Sequence, residues 1–465
     1  MRGKTQWQER PHRIPTDTAN TPDICQLCPG YDYMKLAWQD SIPAQAYTVC
    51  WRGCFDNSTW EQLETCEKRA KIEHLTPWRD YEVKVIRQDG VSSKVRLFRP
   101  APVPGTVINY LHPKDPRYVF SGKALCSPSI VKLPSGVLLA SMDVFAGRHP
   151  QNLSILFRSN DGGETWSYVC ELYPLFWGNL FVHNGRLYAM GCSTEFGDLI
   201  IGASDDEGNT WTLPTRIAMG SSTVGSGWQQ ATMPVLRHRG RLWFAVEYAG
   251  SIAGISGISG CIASVAEDAN LLDPGSWTIS EPVAWNPDWP GAPNGQIHNI
   301  SEGSLIVDRN NQLQCIMRLN ADGHDPMDSF AVVMGVDDQN PEAPMTFTRY
   351  ISIPSGFNSK TYIRYDPATD QYLAIGNVCT AKAPMFQRNV LSLMASQDGI
   401  HWRLVKHLLD YRNEDAREVG LQYPSWFIDG DDILLQVRTA LNGAANFHDA
   451  NYSTFHRIRN YQVLL

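Results

Sequence analysis

The chain has 465 residues, a formal net charge of −8, and 43% hydrophobic against 19% charged side chains. That is apolar enough for one large core or for two to three ordinary domains. No long basic run offsets the acidic balance and no stretch of about 18 apolar residues occurs, which argues against nucleic acid, an anionic membrane surface or a bilayer span as partner.

Residues 1–35 are polar and rich in Pro and Thr, and read as an irregular arm. The opening "MRGKTQWQERPHRIPTDTAN" lacks the apolar core of a signal peptide, so a cytoplasmic location is expected unless a leader has been removed. The four Asn-x-Ser/Thr sites, at Asn57, Asn152, Asn299 and Asn451, would matter only in a secreted chain. Eleven scattered cysteines suit reduced thiols better than a disulfide framework. Cys25, Cys28, Cys50 and Cys54 could instead supply four thiolates to a structural zinc ion.

"NSTWEQLETCEKRAKIEHL" predicts a helix, with Ser58 and Glu61 in a capping-box spacing. "YEVKVIRQDGVSSKVRLFRP" predicts a hairpin around an Asp-Gly turn. Residues 36–100 thus read as a small helix-containing extension that packs on the domain formed by 101–465.

From about residue 126 one pattern recurs: an apolar run, a tight polar turn and a second apolar run, first in "PSIVKLPSGVLLASMDVF". It returns in "GNLFVHNGRLYAMGCS", "TMPVLRHRGRLWFAVEY", "EGSLIVDRNNQLQCIMRL", "KTYIRYDPATDQYLAIGN" and "YPSWFIDGDDILLQVRTA". Several units then reach a turn that carries Trp166, Trp211, Trp277 or Trp402. Repeated all-β units of this length predict a β-propeller of six blades, or seven if the hairpin at 81–100 begins one of its own. "SNDGGETW" (159–166) and "SDDEGNTW" (204–211) share one octapeptide, and "SQDGIHW" (396–402) is a shortened copy. Its Asp accepts backbone N–H groups in a tight turn, its Gly supplies a positive φ and its Trp packs between blades.

This octapeptide is the Asp box, and the chain from about 120 to 460 resembles the sialidase superfamily. The resemblance implies a sialidase-like propeller with the Asp boxes on the rim opposite the active site. The residues that open each inner strand, and the loops after each second strand, then ring the site. These include Trp177, Trp228, Gln229, Gln230, Lys360, Arg148, His149, Glu195, Glu247, Arg438 and His448, a set of aromatic and polar groups suited to sugar.

Carried over residue by residue, the resemblance implies Tyr423 in "LQYPSW" as nucleophile, activated by Glu302 in "NISEGSL". It implies Asp143 as acid/base and Arg318 as one arginine of the carboxylate clamp. A phenol needs a carboxylate to take its proton, and the leaving oxygen needs a separate acid. The family's Arg-Ile-Pro motif on the first inner strand is replaced by "CSPSIV", with Cys126 in the arginine position. The Arg13-Ile14-Pro15 of the polar arm has no strand pattern behind it, and blade five offers only Lys360. A full arginine triad is therefore not expected, and sialic acid itself is a doubtful substrate.

The expectation is an exo-glycosidase for an acidic or related terminal sugar, with a glycan as its partner and neither a cofactor nor a catalytic metal. Related propellers that cleave uronate-containing glycans use His and Tyr, which would give roles to His298, His149 or His448 beside Tyr423 and Arg318. A propeller that binds glycan without turnover is the third reading.

Overall fold

The structure is a computed structural model that describes residues 20–54, 59–147, 149–220, 226–252, 255–293, 296–322, 329–355, 359–381 and 387–465. Its regular structure is antiparallel β, with two short 3₁₀ turns and no α-helix among the described residues. Among the described residues no helix is therefore long and apolar enough to cross a membrane.

The recurring pattern folds as a propeller. Blade one runs outward through Ala124–Lys132, Leu138–Phe145, Ser154–Ser159 and Ser167–Leu172. Blade two uses Phe176–His183, Arg186–Cys192, Leu199–Ser204 and Thr215–Ala218. In blade three the inner strand is split into Gly227–Gln229 and Leu236–His238, followed by Arg241–Ile252, Ile255–Ala266 and Trp277–Ile279. Blade four comprises Gln296–Val307, Leu313–Asp322, Phe330–Gly335 and Thr346–Ser352, and one parallel bridge, Ile258 to Asn299, joins it to blade three. Blade five is Tyr362–Asp366, Gln371–Asn377, Val390–Ser396 and Trp402–Asp410. Blade six has Gly420–Asp429, Asp432–Ala440 and Tyr452–Ile458, and takes its outer strand, Thr106–Tyr110, from upstream of blade one.

Faces that stack blade on blade are covered on both sides, so the middle strands read as continuous apolar runs. Leu199–Ser204 and Val390–Ser396 are buried at every position, whereas the outer strand Trp402–Asp410 is largely exposed or half-buried. Each of the three octapeptide turns lies between the third and fourth strands of its blade. Asp161 accepts from the Thr165 N–H at 2.9 Å, Asp206 from Thr210 at 2.7 Å and Asp398 from His401 at 2.8 Å. In all three the tryptophan indole donates to a glycine carbonyl, at 3.0–3.2 Å. Trp166 packs on Phe455 of blade six, with ring centroids 5.6 Å apart.

The N-terminal segment departs from expectation. "NSTWEQLETCEKRAKIEHL" forms no helix where it is described; it supplies the strands Glu61–Thr65 and Arg69–Ile72, while Ser58 lies outside the described residues. Its Glu and Lys residues favour a helix, but no apolar stripe gives a helix anything to bury. Ladder pairing with Tyr47–Gly53 and Met34–Gln39 wins instead, and Trp60 is held between the cations of Arg52 and Lys84, each 4.5 Å from its ring. The arm is also not irregular throughout. Asp23–Pro29 is a buried strand, because "ICQLC" has the residues for one, while residues 1–19 lie outside the described set.

These strands make two small sheets, and the hairpin at 81–100 belongs to one of them rather than to a blade. Cys25 and Cys28 lie on one sheet and Cys50 on the other, and no three His, Cys, Asp or Glu side chains gather for a metal among the described residues. The two sheets dock on the propeller through Gln26, whose amide donates to the carbonyls of Ile108 at 2.8 Å and Trp166 at 3.0 Å.

Candidate active site

Four inner strands share one irregularity at one height. In each, two residues face a single partner: Ser127-Pro128 opposite Met142, Trp177-Gly178 opposite Gly191, Glu302-Gly303 opposite Met317, and Tyr423-Pro424 opposite Val437. The first residue of every pair is left-handed, with φ of 46°, 53°, 52° and 53° respectively. Such a bulge re-aims one side chain, and a non-glycine residue held there costs about 1–3 kcal/mol that its surroundings must offset. The following residue is Ser or Asn in all four, and it stitches one blade to the next. Ser129 Oγ accepts from the Leu180 N–H at 2.8 Å, Ser304 from Ile363 at 3.1 Å and Ser425 from Ile130 at 3.2 Å, while Asn179 donates to the Met233 carbonyl at 2.8 Å.

Two of these bulges bring Glu302 and Tyr423 together. The Tyr423 hydroxyl donates to Glu302 Oε1 at 2.7 Å. Arg318 donates to Glu302 Oε2 at 2.8 Å and lies 3.4 Å from the Tyr423 oxygen. Burial raises the Glu302 carboxyl, but the Arg318 charge and the bonds from Tyr423 and Arg318 outweigh it and hold the group below its ordinary value. Glu302 is thus a carboxylate at neutral pH, free to take a proton. Burial, then the Glu302 charge, push the Tyr423 phenol above its ordinary value, while Arg318, Arg388 and Arg438 pull the other way.

The cations around Tyr423 exceed the sequence expectation. Arg438 stands 5.1 Å and Arg388 5.5 Å from the Tyr423 ring centroid. Burial brings the Arg388 guanidinium down to about 10, with Arg318 and Arg438 adding repulsion, which shows how closely the three gather. None comes from the first inner strand. Cys126 is buried there, its thiol raised by burial and by Asp143, and Arg13-Ile14-Pro15 lies outside the described residues. Arg388 was missed in the sequence; its signal is a lone arginine in "FQRNV", immediately ahead of the third strand of blade five. Lys360 is fully buried, donates to the Thr232 carbonyl at 2.7 Å, and is lowered by burial to about 7.

Asp143 lies on the second strand of blade one, behind the Trp177 bulge. It has no exposed surface, its Oδ1 accepts from the Ser154 hydroxyl and its Oδ2 from the Trp177 N–H at 2.6 Å. Burial raises it to about 7 against those bonds. Glu195, in the loop after the second strand of blade two, is half-buried, accepts from the Gln151 amide and is also raised by burial.

An aromatic run extends from the cationic cluster: Arg438 lies over Phe145, which stacks on Phe176, which meets Trp177, with Phe196 beyond. Phe145 too was missed. Trp228 is a core residue whose indole donates to the Met219 carbonyl at 3.0 Å. Gln230 is buried and donates to the carbonyls of Trp177 and Met190, while Gln229 is half-buried opposite Glu247. His448 sits between Asp449 and Arg438, and burial followed by the Arg438 charge lowers it to about 4. The His149 ring meets the Gly147 carbonyl at 3.2 Å. Arg148 and the His298 side chain lie outside the described residues.

No protein-family model matches the chain, and no curated protein matches it either. Among solved structures the chain is similar to the Hadza microbial sialidase Hz136, at 14% identity, with 94% of each chain covered and a TM-score of 0.50. It is similar to the α-L-arabinanase of Penicillium chrysogenum complexed with arabinobiose, at 16% identity over 77% of this chain and 99% of that one, TM-score 0.50. The α-L-arabinofuranosidase Arb93A of Fusarium graminearum, in complex with an iminosugar inhibitor, aligns at 13% identity over 77% and 99%, TM-score 0.52. At these identities the likeness is one of fold: the chain is a β-propeller of the architecture that these glycoside hydrolases share.

Proposed function

We propose that the protein is an exo-acting glycoside hydrolase for a terminal sugar that carries an anionic group. The observation behind this reading is the Tyr423–Glu302 bond of 2.7 Å, set among Arg318, Arg388 and Arg438. The similar structures lend support, since they include a sialidase, an arabinanase and an arabinofuranosidase.

In this reading the Tyr423 oxygen attacks the anomeric carbon as its proton passes to Glu302, and the bond to the leaving oxygen breaks. A carboxylic acid from blade one or blade two, Asp143 behind the Trp177 bulge or the half-buried Glu195, protonates that oxygen. Water then displaces Tyr423 from the sugar, giving up one proton to the carboxylate left by that acid, and Glu302 returns its proton to the phenolate. The three guanidiniums favour developing phenolate and hold the substrate's anion, in a setting where fixed charges act more strongly than in water. Trp177 and Phe145 supply flat apolar surface for a sugar face.

The test is a screen of sialosides, Kdo glycosides and rhamnosyl-glucuronate oligosaccharides, with reducing-end and ultraviolet detection. Turnover that survives Tyr423→Phe and Glu302→Gln would sink the assignment. Asp143→Asn and Glu195→Gln then separate the two acids, because only loss of the true donor spares aryl glycosides whose leaving group needs no proton.

Neutral His448 beside Arg438 favours one second reading, β-elimination from a uronate with His448 as base. It predicts an ultraviolet-absorbing unsaturated product, and loss of that product in His448→Ala.

A further inference from the structure

Glu247 lies on the second strand of blade three, fully buried, and is not spent on the reaction proposed above. Its Oε1 accepts from the Glu302 N–H across the blade boundary at 2.8 Å. Its Oε2 is buried without a hydrogen-bond partner among the described residues. Gly303 leaves no room for an alternative arrangement, because a Cβ there would stand 2.4 Å from Cys315 Sγ and 3.1 Å from Ala245 Cβ. A buried, half-satisfied carboxyl costs stability, so its retention calls for a compensating role.

We propose that Glu247 is the positioning residue of the Tyr423–Glu302 pair: it pins the left-handed bulge of blade four and so aims the Glu302 carboxylate at the Tyr423 hydroxyl. The inference rests on the reading of Tyr423 and Glu302 given above. Asp143 performs the matching act one blade pair away, accepting from Trp177 N–H at the bulge of blade two.

Glu247 is pushed well above the ordinary carboxylate range, by burial first and then by the Glu302 charge. That burial favours the uncharged form beside Glu302. The ionisable groups around it are Glu302 and the thiols of Cys192, Cys261 and Cys315. Those around Glu302 are Arg318, Tyr423, Arg388 and Lys360. Since Glu247 acts on the bulge through one acceptor oxygen, an amide can replace it, whereas a side chain without an acceptor cannot.

The test uses the full chain labelled with 3-fluorotyrosine, with the Tyr423 fluorine signal identified by its loss in Tyr423→Phe. At neutral pH, Glu302→Gln sets the signal position of a pair that has lost its carboxylate. Glu247→Met, of similar length but without an acceptor, is expected to move the signal in that direction, and Glu247→Gln to leave it at the wild-type position. Both variants at the wild-type position would overturn the proposal, as would Glu247→Gln displaced as far as Glu302→Gln. Should Glu247→Met fail to fold, hydrogen exchange of the 299–305 segment decides: slow exchange in both wild type and Glu247→Gln is expected, and fast exchange in folded Glu247→Gln overturns it. No substrate is needed, so an empty glycoside screen leaves this result standing, and a wild-type signal in Glu247→Met leaves the glycosidase reading intact.

Discussion

Blade two and blade four are built alike at one height and carry different cargo. In each, a left-handed residue followed by glycine bulges out of the inner strand, and a fully buried carboxyl from the preceding blade accepts its N–H. Blade two displays Trp177, set between Phe176 and Phe196; blade four displays Glu302, paired with Tyr423. The fold repeats a backbone device for aiming a side chain, and chemistry enters only through the residue mounted on it.

Changing the cargo is the strongest way to break the parallel. Tyr423→Phe or Glu302→Gln should lower turnover of a substrate of the wild-type protein by about 10²–10⁴-fold; Tyr423→Phe should leave the denaturation midpoint nearly unchanged, whereas Glu302→Gln should lower it, because Arg318 loses its buried ion-pair partner. Steady-state kinetics beside urea unfolding checks both halves.

Changing the clamp comes next. Asp143→Ala strands the Trp177 N–H and should cost about 1–3 kcal/mol of stability, whereas Asp143→Asn keeps an acceptor and should cost less. The same site gives a pH signature. Asp143 rises from 3.8 when unfolded to about 7 when folded, so the native state holds the extra proton. Its stabilising contribution is complete below pH 3.8 and is lost as pH climbs through about 7. The slope reaches at most about 1.4 kcal/mol per pH unit. Unfolding curves taken across that window should show this component in the wild type and lose it in Asp143→Asn.

A smaller effect is expected from Trp177→Ala, which removes apolar contact but no reacting group. KM should rise several-fold, in line with about 0.5–1.5 kcal/mol for one aromatic contact, while kcat holds. The smallest belongs to the opposite rim. Asp161→Asn weakens one octapeptide turn by about 1 kcal/mol and should leave both kinetic constants in place.

Much of this was legible in the chain. Alternation, tight turns and the octapeptide disclosed the blades, because repetition is written many times over. The bulges were legible in principle too: Ser-Pro-Ser, Trp-Gly-Asn, Glu-Gly-Ser and Tyr-Pro-Ser occur at the same step of four repeats. What hid the rest is distance in sequence. Arg388 meets Tyr423 from the neighbouring blade, and no local pattern marks that it turns inward, whereas Arg438 lies on the strand paired with Tyr423's own. Asp143 in "LLASMDVF" looks the same in sequence whether it faces solvent or a neighbour's backbone. The supposed helix at 57–75 misled for the opposite reason, since its helix-favouring composition carries weight only if an apolar face exists to be buried.

The strand Thr106–Tyr110 has a consequence for how the molecule is made. It emerges from the ribosome before any blade exists, yet its partner Tyr452–Ile458 is synthesised last of the blade strands. Until then its edge offers unpaired N–H and C=O groups to any passing chain. Gln26 grips the Ile108 carbonyl from the N-terminal sheets, so those sheets can shelter the waiting edge. Pairing of Thr106–Tyr110 with Tyr452–Ile458 therefore joins the two ends of the propeller chain, and the ring closes only once blade six has been made.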